Sequence, residues 1–213
     1  GIDGKTIYVT SSIERRAFRP INKENPVFVY FGSVRLGRNT ALCDIATALG
    51  KIDLTYKLEV YSNESDEKIS GCLKKHPNIV YGGAVPYNEV EKRMLEADVF
   101  VIAEGFKKED INFTKYSLST KAADGLACGV SILTYGPSES GVVEYMRETE
   151  ASLVCSEPDK LKESIVELMT DVELQKRYYK NAIAVTEKNH TLKSTTSTFE
   201  SVVEKIVKSK RKL

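Results

Sequence analysis

The sequence contains no tryptophan and only two histidines, His76 and His190. Neither stands in a Ser/His/Asp or metal-ligand spacing, so hydrolysis by a triad and a histidine-held metal find no support. His76 precedes Pro77 and reads as a turn residue. His190 lies between two helical segments and is expected to be exposed. The four cysteines, Cys43, Cys72, Cys128 and Cys155, are scattered, with no C-x-x-C pair. That argues against a zinc or redox motif and for reduced thiols. An excess of one charge is also missing: 31 basic against 30 acidic residues leave +1, and no bulk electrostatic case for nucleic acid. No apolar run is long enough to span a bilayer, and no secretory leader is visible. The expected location is therefore cytoplasmic, and the sequons at Asn63, Asn112 and Asn189 read as chance matches. There is no G-x-G-x-x-G fingerprint for a dinucleotide and no Asp-x-Asp pair for a metal. Internal repeats and low-complexity tracts are absent as well.

What is present is a regular alternation. β-rich runs at 27–31, 56–61, 78–81, 98–103, 130–133 and 152–155 are separated by helix-spaced segments at 39–49, 67–75, 87–97, 121–128 and 138–146. From Pro158 onward the pattern is helical only, over 158–169, 171–187 and 192–210. Short buried strands between helices predict a doubly wound, Rossmann-like α/β domain with a parallel sheet. Residues 104–117, EGFKKEDINFTKYS, read as a long polar connection. In such sheets ligands sit at the carboxyl ends of the strands, which directs attention to 32–39, 81–86, 103–121 and 134–139. The opening GIDGKTIYVT has no methionine and is expected to be the interior of a longer chain.

Two segments carry candidate chemistry. FGSVRLGRNT (31–40) follows the first strand and opens a helix. Gly32 permits a tight turn, Ser33 follows it, and Arg35 and Arg38 put cations beside a helix N-terminus, an arrangement suited to a diphosphate. The same stretch is a near miss to the G-x-x-x-x-G-K-[ST] phosphate loop, with Arg38 and Asn39 in place of Lys and Ser/Thr. A nucleoside-triphosphatase is thus an alternative, with VFVIAE (99–104) as its acidic strand. The second segment, YSLSTKAADGLACGVSILTYG (116–136), runs from loop to helix to strand. A small-residue loop of Ser117, Ser119 and Thr120 leads into the helix, Lys121 and Asp124 lie in its first turns, and Gly129 ends it. The competing reading of that segment is a solvated lysine and an acid favoured by the helix dipole. In YGGAVPYNEVEKRMLEADVFVIAE (81–104), backbone near Val85 could face the edge of a base. The basic tail KSKRKL (208–213) reads as a solvated terminus, with a weak anionic-membrane contact as the second reading.

The order of these pieces, from KTIYVTSSIERRAFRP through STKAADGLACGVSIL to the last helix, resembles the C-terminal, nucleotide-sugar-binding half of group 1 GT-B glycosyltransferases. The resemblance covers about Lys5 to Ser209. It implies a link and entry strand over 1–25, a Rossmann-like donor-binding domain over 26–190, and a helix over 191–213 that crosses to an N-terminal acceptor domain. It further implies a UDP-, GDP- or ADP-sugar donor, transfer with retention to a glycan or lipid-linked acceptor, and no metal or other cofactor. Arg38 would hold the diphosphate with Lys121, Asp124 would hold the ribose, and Val85 would face the base. Gly32, Ser33, Arg35 and Thr120 complete the expected donor site. Two departures stand out. Ser33 replaces an arginine, and Tyr116 replaces the first of two glutamates, the one that meets the transferred sugar. A non-catalytic module of the same fold is therefore the second reading.

Overall fold

The computed structural model describes residues 6–210. Six parallel strands form one sheet: β1 (Val27–Phe31), β2 (Lys57–Tyr61), β3 (Ile79–Gly83), β4 (Val99–Ala103), β5 (Ser131–Tyr135) and β6 (Leu153–Cys155). Their spatial order is β3-β2-β1-β4-β5-β6. The chain steps outward in one direction from β1 and then returns to start the other half at β4. The crevice between the ends of β1 and β4 is therefore the switch point where doubly wound sheets bind ligands. The helices are α1 (Arg38–Ile52), α2 (Glu67–Lys75), α3 (Tyr87–Glu96), α4 (Lys108–Thr114), α5 (Thr120–Cys128), α6 (Gly141–Glu148), α7 (Leu161–Thr170), α8 (Val172–Asn189) and α9 (Leu192–Lys210).

Alternation along each strand sorts its side chains onto two faces. Phe28 and Tyr30 of β1 join Leu58, Val60, Val99 and Val101 in a core covered by α1, α2 and α7. Val29 and Phe31 join Tyr61, Phe100 and Ile132 in a second core covered by α3, α5 and α6. Both faces are buried, which is why these strands read as continuous apolar runs.

Five expectations are corrected. The segment 104–117 is not an open connection: it holds α4, begun by Glu109 and Asp110 in its first turn. The helix after β5 starts at Gly141 rather than Ser138, because Pro137 to Ser140 close a turn first. The first turn after Pro158 is a 3-10 turn, Pro158–Lys160, ahead of α7. No entry strand forms over residues 6–25, and residues 1–5 lie outside the described residues. This segment is instead held by side chains. Arg16 Nη1 donates to the carbonyls of Leu95 and Ala97 at 2.8 and 2.6 Å, and Arg19 Nη2 to those of Glu96 and Ala97. These are carbonyls at the end of α3, which lack partners within their own helix. His190 is also corrected: it is fully buried rather than exposed, with Tyr145 Oη at 2.8 Å from Nε2 and the Val9 carbonyl at 2.7 Å from Nδ1. The residues 211–213 of the basic tail lie outside the described residues, and no helix among the described residues is long and apolar enough to cross a membrane.

Candidate functional site

A cavity of about 370 Å³ opens at the carboxyl end of the sheet, between β1, β2 and helices α3 and α5. Its apolar wall is built from Phe31, Tyr61, Val90, Met94 and Phe100. Phe31 and Tyr61 stack at 5.1 Å between ring centroids. Arg93 fixes the outer edge of Tyr61, donating to its hydroxyl at 2.7 Å and lying over its ring. The rim is polar or backbone-lined: Gly32, Ser62, Asn63, Ala84 and Val85. Lys121 and Asp124 enter from α5, one turn apart and hence on one face of the helix.

The backbone admits the lysine. Gly32 has φ +115°, and a Cβ there would stand 3.1 Å from Lys121 Nζ. A larger residue would therefore be both strained and pressed against the amine. Lys121 Nζ donates to Tyr30 Oη at 2.9 Å, and Tyr30 Oη in turn donates to the Ser33 carbonyl at 2.5 Å. Burial, reinforced by the nearby Arg38 charge, lowers Lys121 to about 8, and Glu104 opposes that fall. Asp124 accepts from Ser11 Oγ at 2.7 Å; burial pushes its carboxyl up, and the Ser11 hydroxyl counters. Ser11 belongs to the N-terminal segment, so that segment completes the site.

The expectation that Arg38 and Asp124 meet in one pocket is corrected. Arg38 does not line the cavity. Its Nε and Nη2 each donate to Glu104 at 3.0 Å, in a bidentate pair between the ends of β1 and β4. The Arg38 and Glu104 side chains are only 15% and 3% exposed, so the acid needs that cation. Even so, burial holds the Glu104 carboxyl above its ordinary range. Arg35 is likewise engaged, 2.7 Å from Glu64 on the surface. Ser33 lies in the β1–α1 loop, its hydroxyl accepting from the Arg35 amide. Thr120 is exposed at the start of α5. Neither lines the cavity, whereas Gly32, Val85, Lys121 and Asp124 do. The phosphate-loop reading requires Arg38 free for phosphate and Glu104 free for a metal, and these two are bound to each other.

Sequence reasoning missed the Phe31–Tyr61 wall, the Tyr30 bridge and the Ser11 clamp. Glu104 carried a signal: an acid at the end of an apolar strand is buried and requires a cation. Among the described residues, no group of three His, Cys, Asp or Glu side chains could hold a metal.

A doubly wound sheet with a cavity at its carboxyl edge, furnished with one cation and one acid, has the arrangement in which α/β domains bind ligands. Residues 38–201 match the model of the glycosyl transferase-like family, and the chain belongs to that family. No curated protein sequence matches it. Among solved structures it is similar to WaaG, a glycosyltransferase involved in lipopolysaccharide biosynthesis, with a TM-score of 0.60 and 15% identity over 82% of this chain. It is similar to the C-terminal domain of the group 1 glycosyltransferase LpcC from Francisella tularensis, with a TM-score of 0.58 and 12% identity over 87% of this chain and 100% of that one. A third is TarM from S. aureus, solved with UDP, with a TM-score of 0.58 and 16% identity over 95% of this chain. The fold is thus that of the C-terminal half of a GT-B glycosyltransferase. The chain spans 46% of WaaG and 40% of the TarM chain.

Proposed function

We propose that this chain is the donor-binding domain of a glycosyltransferase, and that its cavity takes a nucleoside diphosphate sugar. The observation that carries this reading is the placement of Lys121 and Asp124 on one face of α5, facing a cavity with an apolar aromatic wall. The cavity volume falls within the range of small-ligand sites, roughly 300–1,000 Å³. In this reading the Lys121 ammonium and the N-terminal end of α5 meet the diphosphate, and the Asp124 carboxylate accepts from ribose hydroxyls. The backbone at Ala84 and Val85 faces the base, with Val90 and Met94 beside it. As the bond between the anomeric carbon and the phosphate oxygen breaks, negative charge grows on the leaving diphosphate. A preorganised cation and helix terminus stabilise that charge without a metal. An acceptor hydroxyl then takes the sugar, with retention, in a cleft shared with a partner domain. Arg38 acts at a remove, its charge compensated by Glu104. It shapes the field around Lys121 and does not clamp phosphate itself.

The test is a nitrogen-15 NMR titration of the chain with UDP, GDP and ADP. Saturable shifts at Gly32, Val85, Lys121 and Asp124 are expected with at least one of them. Shifts confined to other surfaces, or none at millimolar ligand, contradict the reading. The Arg38–Glu104 pairing and the exposed Tyr116 favour, as a second reading, a domain that binds donor without transferring sugar. Donor turnover by the protein together with its acceptor domain excludes it.

A further inference from the structure

Helices α1 and α2 lie side by side on the face opposite the cavity wall, hydrogen-bonded at two rungs with a third facing pair between them. Asn39 Nδ2 donates to the Ile69 carbonyl at 2.9 Å. Two turns further on, Thr47 Oγ1 lies 3.1 Å from His76 Nε2. Asn39, Cys43 and Thr47 are spaced by four on α1. Ile69, Cys72 and the capping His76 are spaced by three and four along α2. Residues at such spacings share one helix face, so the middle rung between the two clamps is Cys43 against Cys72. The Cys72 thiol donates to the Ile69 carbonyl at 3.6 Å.

We propose that Cys43 and Cys72 form a redox-active dithiol site that closes to an intramolecular disulfide on reaction with a low-molecular-weight disulfide. The inference is independent of the donor reading. Cys72 is exposed and Cys43 half-buried, which sets the order of events. The Cys72 thiolate attacks one sulfur of the small disulfide, joins to it, and releases the other half as a thiolate. Cys43 then gives its proton to that thiolate, and its sulfur displaces the remaining small thiol from Cys72. Two protein thiols are oxidised to one disulfide, and the small disulfide is reduced to two thiols. Cys43 suits the second role because it is half-buried, so it meets only a sulfur already held at Cys72. Cys128 and Cys155 are buried and stand outside this chemistry. The bond would fasten the helix after the β1 rim of the cavity to the helix after its β2 rim.

The test treats the reduced, folded chain with oxidised glutathione. Thiols titrated in denaturant are expected to fall from the four of the reduced chain by two. A non-reducing digest should show the Cys43 peptide joined to the Cys72 peptide, and a reductant should restore all thiols. Cys43→Ser should stop at a glutathione adduct on Cys72, and Cys72→Ser should leave Cys43 unmodified. An unchanged thiol count, an adduct on Cys72 of the parent chain that never resolves, or a link that forms only in unfolded protein overturns the proposal.

Discussion

At the scale of single residues, the account turns on which cation is free. Arg38 and Lys121 both reach the switch point, but Glu104 binds only the first. The sequence made both cations visible, since each stands just after a turn at a helix start. It could not show the assignment, because Glu104 is separated from Arg38 by 66 residues, three helix-strand units. Arg38→Ala leaves a buried carboxylate without its partner, which costs about 3–5 kcal/mol in comparable pairs. Urea denaturation at neutral pH should show that loss. With Arg38 gone, the Glu104 carboxyl rises further above its unfolded value. An acid raised in the folded state destabilises at high pH, and the penalty is relieved as it protonates. The deficit of Arg38→Ala should therefore shrink as pH falls from 7 towards 5. A constant deficit across that range would show that Glu104 is not the group left unpaired.

At the scale of elements, strands and helices were legible because both faces of the sheet are covered. Continuous runs such as VFVYF and VFVIA could only be buried strands, and the Gly129 stop gave the end of α5, where φ is +75°. The polar segment 104–117 was less legible. Its helix α4 buries little beyond Thr114, so its sequence carries no apolar stripe. The N-terminal segment misled for a different reason. IYVT has strand character, but its order comes from Arg16, Arg19, Ser11 and the buried His190, which are contacts across more than seventy residues. Arg16→Ala removes two charge-assisted hydrogen bonds from the end of α3, each of a kind worth roughly 1.5–3 kcal/mol. A lowered urea midpoint and earlier protease cleavage within residues 6–25 are expected. An unchanged midpoint with unchanged cleavage would mean that the segment is held by its other contacts alone.

For the whole molecule, the strand order puts the ends of β1, β2 and β4 together, and α5 brings its first turn to meet them. Family membership gives the kind of protein, and the cavity gives the place where a ligand fits. The central claim is that Lys121, in its ammonium form, holds a diphosphate there. Calorimetric titration of the chain with UDP, GDP and ADP between pH 6.5 and 9.5 tests it most directly. For the preferred nucleotide, affinity should be highest at low pH. It should fall above about 8, where the free lysine loses its proton, by no more than tenfold per pH unit for one linked proton. Lys121→Met should bind at least tenfold more weakly and lose that pH dependence. Equal binding by Lys121→Met, with the same pH profile as the parent chain, would contradict the account.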